Sequence, residues 1–307
     1  MTILRAEIVE RIFDRPLLLD EAKADVIMRA IGGRLFDGGV TVIGAEAAQD
    51  LTDAASRPAM GRVGDRLGRA YDRERLTPYD VIDGVAIVPV EGTLVHKGRY
   101  VGMSSGRTSY EGLQTQLVRV ARDPFVKGVA FEVDSFGGEV AGAFETAAMM
   151  AEVSALKPTM AILTDFALSA GYLLAAQARQ IVIPETGRAG SIGVITMHVD
   201  YSRALDKEGV TVTVLTAGAR KAEGNSFSAL PAEVADRIRA DLEVTRQAFA
   251  GAVARGRGSR LSAAQALDTQ AGHFAGREAV RLGLADAVGD ANAAFEAFRA
   301  ELNARRF

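Results

Sequence analysis

The feature that most limits the fold of this chain is a series of short β-branched segments that recur from Asp80 onward, separated by stretches with helical spacing. A crossover helix is predicted over 138–153, and further helices are predicted up to about Ala178, over 231–255 and over 276–283. Strands joined by helices in this way predict an α/β fold with a parallel sheet flanked by helices on both faces. The predicted strands are 85–90, 128–133, 159–164, 180–183, 192–197 and 210–215.

The first 79 residues lack this alternation. Helical periodicity occurs around 18–29, a loop-rich run covers 32–39, and 51–79 is polar, charged and poor in β-branched residues. The sequence therefore predicts an N-terminal arm over 1–79 that is partly helical and either flexible or removed. A single domain with C-terminal helices is predicted over 80–307.

The composition excludes several classes of function. The chain has no cysteine, which rules out disulfides, thiolate metal ligands and cysteine nucleophiles. A formal net charge of -3 argues against a nucleic-acid partner. No apolar run is long enough to span a bilayer, so we expect no membrane anchor and a cytoplasmic protein. No spacing of acidic and histidine residues resembles a metal-ligand set, and no cofactor is expected.

Two segments that could take part in catalysis each follow a predicted strand and open a helix. In the run 134–138, Gly137 and Gly138 would let backbone amides point at an anion, as in an oxyanion hole, although a plain strand-to-helix turn would look the same. In the run 166–172, Ser169 stands among small residues, where it is either a nucleophile or an ordinary helix cap.

Two later segments carry further candidates. In the run 190–194, Gly190, Ile192 and Gly193 could pair with an extended peptide, or the glycines could serve close packing. The polar loop 216–225 contains Lys221, which is a solvated cation unless it is buried away from carboxylates and becomes a neutral base.

The order and spacing of these four segments are more specific than any one of them. The run Ser-Phe-Gly-Gly, then Ser-Ala-Gly-Tyr, then Gly-Ser-Ile-Gly-Val, with a lysine 52 positions after Ser169 (221 − 169), resembles the signal peptide peptidase A family of serine peptidases. The resemblance extends from about Val85 to Gly289 and includes the closing run 276–286. Within that family the chain is more similar to the phage and prophage head-maturation proteases, because it lacks an anchor and its 197–200 and 217–225 loops look like theirs.

The resemblance implies a fold like that of Clp protease and crotonase, a ring-shaped homo-oligomer, and cleavage of a protein or peptide substrate. That substrate would be a scaffold or capsid protein, inside a phage procapsid in the bacterial cytoplasm. Small apolar residues are expected before the cut bond. Phe136 stands where the family usually has proline, and Ala170 where it often has glycine, which puts the shape of the subsites in doubt. The residue roles it implies are Ser169 as nucleophile, Lys221 as general base, Gly137, Gly138 and Ala170 as oxyanion-hole amides, and Ser191 as a support for the lysine amine.

Other functions remain open on the sequence alone. His198 lies 29 positions after Ser169 (198 − 169), near where a Clp-type protease would place its catalytic histidine, so it is the alternative base. A general cytoplasmic or signal-peptide-remnant peptidase of the same family would use the same residues. Two other classes share the fold, namely a crotonase-type acyl-CoA enzyme and an inactive structural capsid component. A coenzyme A thioester binding assay would separate the first of these from a peptidase.

Overall fold

A mixed, mostly parallel β-sheet with helices on both faces forms the centre of the computed structural model, which describes residues 16–19, 64–98, 100–104 and 106–304. This architecture confirms the predicted α/β fold class. Within the described residues, no helix combines the length and the apolar character that a membrane span needs.

The strands of the described residues are numbered here in chain order. Most are short, and of the three longest the middle one pairs in parallel with the other two. Their bounds are β1 Leu17–Leu19, β2 Asp80–Ile82, β3 Val85–Val95, β4 Met103–Ser104, β5 Arg107–Ser109, β6 Gly128–Glu139, β7 Thr159–Leu168, β8 Gln180–Ile183, β9 Arg188–Gly190, β10 His273–Ala275 and β11 Ala287–Val288.

The helices are numbered in the same way. The longest helix follows the polar loop that contains Lys221, and a short 3-10 turn over Gly258–Arg260 comes directly after it. Their bounds are α1 Arg66–Glu74, α2 Tyr110–Arg122, α3 Ala143–Leu156, α4 Ala170–Ala175, α5 Ser202–Glu208, α6 Ala232–Arg257, α7 Ala263–Asp268, α8 Gly276–Arg281 and α9 Ala291–Ala304.

The strand order β10-β9-β7-β6-β3-β5-β4 brings together the ends of the strands that precede the predicted site. Ser135 of β6 pairs with Ala167 of β7, and Leu168 of β7 pairs with Gly190 of β9. The carboxyl ends of β6, β7 and β9 therefore lie side by side, which is where open α/β sheets usually bind ligands.

Alternation along the central strands divides the core between the two faces of the sheet. Phe131 and Val133 of β6 belong to the main core cluster, together with residues of α2, α3, α4 and α6. Ala130 belongs to a smaller cluster on the opposite face, which Phe298 and Leu302 of α9 close. Successive side chains of a strand point to opposite faces, so β6 is buried on both sides and holds its loop firmly.

The described parts of the predicted N-terminal arm pack against the rest of the chain. Arg119 of α2 forms ion pairs with Asp65 at 2.8 Å and with Asp72 at 2.6 Å, and Tyr79 donates a hydrogen bond to Asp123. The three residues of β1 join the central sheet beside β6. The boundary at residue 79 remains a prediction, since most of the arm lies outside the described residues.

Several predicted elements agree with the structure and others do not. Strands begin at 85, 128, 159 and 180 as predicted, and the predicted helices over 231–255 and 276–283 correspond to α6 and α8. The crossover helix begins at Ala143 and not at Gly138, because β6 stays extended through both glycines. The helix predicted up to Ala178 ends at Ala175. Leu17–Leu19 is a strand where a helix was predicted from residue 18, and 20–29 lies outside the described residues.

The predicted strands over 192–197 and 210–215 are wrong. In the first segment only Ile195 forms a bridge, to Leu17, and the Gly193 amide turns back to the Ser191 carbonyl. The second is an exposed loop, in which Leu215 is 90% exposed. A β-branched run forms a strand only beside a partner, and none pairs with 210–215 in the described part of the chain.

Candidate active site

Ser169 sits at a sharp junction between β7 and α4. Its backbone has φ 53° and ψ −121°, a conformation that costs a residue other than glycine about 1–3 kcal/mol. The Ser169 amide donates to the Gly190 carbonyl at 2.9 Å, and its carbonyl accepts from the Leu173 amide at 2.9 Å. These two bonds fix the strained turn between the sheet and the helix.

The Ser169 side chain does not cap the helix that it precedes. No amide of α4 donates to its hydroxyl, which rules out the interpretation of Ser169 as an ordinary helix cap. The residue is fully buried, and Oγ has no hydrogen-bond partner among the described residues. Buried polar atoms are nearly always bonded, so an orphaned hydroxyl in a strained turn is typical of a functional position.

The glycines of the 134–138 run allow close approach to Ser169 and to β3. A Cβ atom on Gly137 would lie 2.9 Å from Ser169 Cβ and 3.0 Å from the Ala170 amide nitrogen. A Cβ atom on Gly138 would lie 1.8 Å from the carbonyl oxygen of Leu94. Only glycine fits at these positions, and the backbone of the loop therefore lies directly beside the serine.

Ser135 holds this loop in place, a role that the sequence analysis did not assign to it. Its buried hydroxyl donates to the Gly92 carbonyl at 2.6 Å and accepts from the Gly137 amide at 3.1 Å. The Gly137 amide is thus already bonded within the loop. Ala170 begins α4, so its amide has no acceptor within that helix. The signal for Ser135 was its position in the same run, two residues before Gly137.

The 190–194 run lies beside the serine, at the end of the neighbouring strand. Leu168 and Gly190 are register partners, so Ser169 and Ser191 leave adjacent strands at the same edge. Ser191 is buried and has φ 56°, and its amide donates to the Gly272 carbonyl at 2.8 Å. Ile192 is buried in the core and Ile195 forms a bridge to Leu17, while pairing of Gly190, Ile192 or Gly193 with a substrate peptide remains a prediction.

Lys221 forms no hydrogen bond with Ser169 in this single chain. It is exposed in the turn 218–224, where its amide donates to the Gly218 carbonyl at 3.1 Å. The lysine amine makes no hydrogen bond or ion pair within the described residues, and Ser169 Oγ has no partner there either. The two predicted dyad residues are therefore not hydrogen-bonded to each other in the single chain, and the dyad remains a prediction.

His198 forms no hydrogen bond with Ser169 in the single chain either. Its Nε2 lies 3.0 Å from the backbone carbonyl of Asn225, and because a carbonyl only accepts, Nε2 carries the hydrogen and donates it. His96 bonds to the Ala141 carbonyl, and His273 lies beside Arg188. No histidine of the chain is thus hydrogen-bonded to Ser169 Oγ, and His198 as the alternative base is not tested by this structure.

One carboxyl at the same edge of the sheet has an altered pKa. Glu91 of β3 pairs in register with Asp134, directly before the glycine loop. Burial raises the pKa of Glu91, and the nearby charges of Glu132 and Asp134 raise it further.

The described residues contain no group of three or more histidine, aspartate or glutamate side chains that could hold a metal ion.

The geometry defines an α/β protein whose strained, buried serine lies beside a glycine loop at the carboxyl edge of a parallel sheet. Residues 151–305 match the Peptidase family S49, and the chain belongs to that family.

Its relatives include capsid assembly protease C of Escherichia phage lambda, which is 37% identical over 96% of this chain and 65% of the relative. Head-tail preconnector protein GP5 of Enterobacteria phage P21 is 36% identical over 97% of this chain and 58% of the relative. The chain thus spans about three-fifths of the length of these two proteins.

A putative signal peptide peptidase SppA of Enterococcus faecium is 30% identical over 69% of this chain and 62% of its own length. The resemblance to the signal peptide peptidase A family and its phage branch is thereby confirmed. Among solved structures, the 1510-N membrane-bound stomatin-specific protease gives a TM-score of 0.42 at 16% identity, covering 69% of this chain and 78% of that one. An enoyl-CoA hydratase from Shewanella pealeana gives 0.43 at 13% identity, covering 78% of each chain.

Proposed function

We propose that this chain is a serine endopeptidase in which Ser169 attacks the peptide carbonyl and Lys221, as a neutral amine, accepts the hydroxyl proton. The observation that carries the proposal is the buried Ser169 hydroxyl, unpartnered within the described residues, in a strained turn between two loops of small residues. A serine becomes a nucleophile when an adjacent base takes its proton, and this hydroxyl has no competing acceptor there.

The oxyanion formed in this attack needs amide donors. Ala170 follows the serine, and the Gly138 amide is the next in the loop after that of Gly137, which Ser135 already engages. We assign Gly138 and Ala170 as the donors and Gly137 as the residue that lets the loop approach. The lysine would then pass its proton to the leaving amine, and water would release the acyl group from Ser169.

The proposed dyad requires the 216–225 loop to be covered, because Lys221 is exposed in the monomer. The cover that we propose is a second copy of the chain, in the ring-shaped homo-oligomer that the family resemblance implies. Several apolar side chains near the loop support this, since large exposed apolar patches mark interaction sites. They are Val210, Val212, Val214, Leu215 and Phe227, which are 40–90% exposed.

The substrate that we propose is a scaffold or capsid protein, cut inside a phage procapsid in the bacterial cytoplasm. Two relatives that align with nearly all of this chain support this proposal, because their names are capsid assembly protease and head-tail preconnector protein. The partner proposed for the chain is thus a protein substrate, with no nucleic acid and no membrane anchor.

Purified wild type, Ser169→Ala, Lys221→Ala and His198→Ala, each incubated with a co-expressed scaffold or capsid protein, test the proposal. Wild type and His198→Ala should cleave, whereas the serine and lysine variants should lose at least about a thousandfold in rate. Lys207→Ala, which removes another exposed lysine, is the matched control and should cleave normally.

Two results would count against the lysine. The first is cleavage that survives in Lys221→Ala and disappears in His198→Ala. The second is a cleavage rate of Lys221→Ala equal to that of the control Lys207→Ala.

A further inference from the structure

The strand β1 lies across the candidate active site. It pairs antiparallel with β6, with Leu17 opposite Glu139, Leu18 opposite Gly138 and Leu19 opposite Gly137. On its other side the Leu17 amide donates to the Ile195 carbonyl at 2.7 Å, and the Ile195 amide donates to the Leu17 carbonyl at 3.0 Å. The three leucines therefore form an extended strand between the glycine loop and the segment after Ser191.

The carbonyl of Leu18 points toward the proposed oxyanion hole. Because the amide and carbonyl of Leu17 both face Ile195, those of Leu18 face the other way, toward Gly138, as antiparallel pairing requires. A Cβ atom on Gly137 would lie 2.1 Å from the Leu18 oxygen, 2.9 Å from Ser169 Cβ and 3.0 Å from the Ala170 nitrogen. The Leu18 carbonyl, the serine and the Ala170 amide thus surround one small volume.

The leucine side chains are fully accommodated. Leu18 is 0% exposed and belongs to the main core cluster. Leu17 and Leu19, on the opposite side of the strand, pack with Ile195 and Met197. An apolar side chain as large as leucine is therefore held at the residue whose carbonyl faces the serine.

We infer that Leu17–Leu19 is a built-in ligand of the peptide groove, and that the groove takes an extended strand with leucine at the residue whose carbonyl Ser169 would attack. This inference rests on the proposed function for the role of Ser169, while the occupancy itself rests on the pairing of β1. Main-chain bonds on both sides supply the affinity, and the pocket of Leu18 supplies the specificity, as in other strand-addition sites. Leucine here differs from the small residue that the family resemblance implied.

Binding of a labelled Pro-Leu-Leu-Leu peptide, measured by fluorescence anisotropy, tests this inference without any chemistry. The full chain carrying Ser169→Ala is compared with the double variant Ser169→Ala, Leu18→Asp, in which a carboxylate drives β1 out of its apolar pocket. The double variant should bind the peptide at least about tenfold more tightly. When β1 occupies the groove most of the time, the apparent affinity for the peptide is the intrinsic affinity multiplied by the small fraction of molecules whose groove is free.

The control variant is Ser169→Ala, Leu76→Asp, which changes a leucine that is 54% exposed and should bind as weakly as Ser169→Ala alone. A Pro-Leu-Asp-Leu peptide should bind none of the proteins. If circular dichroism shows that Leu18→Asp does not fold, Leu17→Pro replaces it, because proline removes the amide that bonds to Ile195.

The inference would be overturned if Ser169→Ala and the folded double variant Ser169→Ala, Leu18→Asp bound the peptide with equal affinity. It would also be overturned if the Pro-Leu-Leu-Leu and Pro-Leu-Asp-Leu peptides bound equally well. Failure of the proposed function looks different. In that case the double variant Ser169→Ala, Leu18→Asp binds the Pro-Leu-Leu-Leu peptide. The single variant Leu18→Asp, in which Ser169 is intact, nevertheless cleaves neither that peptide nor a capsid protein.

Discussion

At the scale of single residues, Ser169 combines a strained backbone with a buried hydroxyl that lacks a partner in the described structure. Ser169→Ala should therefore raise the free energy of unfolding by about 1 kcal/mol while it abolishes cleavage, since it removes a buried group that has lost its hydration. Denaturant titration measures this. Ser154→Ala is the control, because that buried hydroxyl bonds to Thr159 at 2.8 Å, and its removal should cost about 1 kcal/mol.

Gly138 has no space for a side chain. Gly138→Ala would place Cβ 1.8 Å from the Leu94 carbonyl oxygen, and a backbone atom of the central sheet cannot move aside easily. We expect a loss of about 1–3 kcal/mol in the free energy of unfolding, together with reduced cleavage. The matched change is Gly251→Ala in α6, where the nearest atom is a flexible arginine end at 3.6 Å. Equal changes in the free energy of unfolding of the two variants would show that the loop can shift to make room for a side chain.

At the scale of elements, a buried ion pair ties α6 to the segment before β11. Arg257 is fully buried and donates to both carboxylate oxygens of Asp286, at 3.0 and 2.8 Å. The Ile181 amide of β8 donates to the same carboxylate at 2.7 Å, and Arg260 adds a second ion pair. One carboxylate thus joins the long helix, the sheet and the C-terminal segment.

Asp286→Asn should lower the free energy of unfolding at pH 7 by about 3 kcal/mol, because it leaves the charge of Arg257 buried without its partner. Glu278→Gln is the control, since Glu278 pairs with Arg281 at the surface and its loss should not be measurable. Urea titration compares the two variants.

The same pair gives stability a pH dependence. Burial alone would raise the pKa of Asp286, but the bonds and charge of Arg257, the Ile181 amide and the charge of Arg260 together lower it. A lowered pKa in the folded state stabilises the protein above the unfolded-state value of about 3.9, and this stabilisation is lost as the pH falls through the folded-state value. The difference between wild type and Asp286→Asn should therefore be constant from pH 7 to about 5 and shrink below about 4. A difference that grew in acid would contradict this assignment.

At the scale of the whole molecule, the proposed ring should depend on the apolar loop near Lys221. Leu215 is 90% exposed, so Leu215→Asp should not disturb the fold of the monomer but should dissociate the assembly and abolish cleavage with it. Light scattering after gel filtration measures the mass. Leu156→Asp changes another exposed leucine, at the end of α3, and should leave the mass unchanged. A wild type with the mass of one chain would refute the ring.

The sequence predicted local structure well wherever a segment carries its own signal. The β-branched runs that begin at Val85, Gly128 and Thr159 are strands, and the serine and glycine loops lie at their ends. Contacts between distant segments could not be predicted in this way. The run Leu17–Leu19 overlaps the start of a segment with helical spacing, yet it is a strand, because Ile195 and the glycine loop offer it partners on both sides. Lys221 likewise could not be placed relative to Ser169, because the position of its loop depends on contacts with distant segments, such as the bond between His198 and Asn225 and the ion pair of Glu223 with Arg237.

Because β1 belongs to the same chain as the groove that it covers, its occupancy of the groove should not depend on the protein concentration. A separate inhibitor would leave the groove on dilution, but a segment of the same chain keeps a constant effective concentration however dilute the protein is. Crowding many copies into a closed shell would not tighten its hold either. Release must come from something that competes with three leucines for the same edge of β6, or from a change in the chain that carries them.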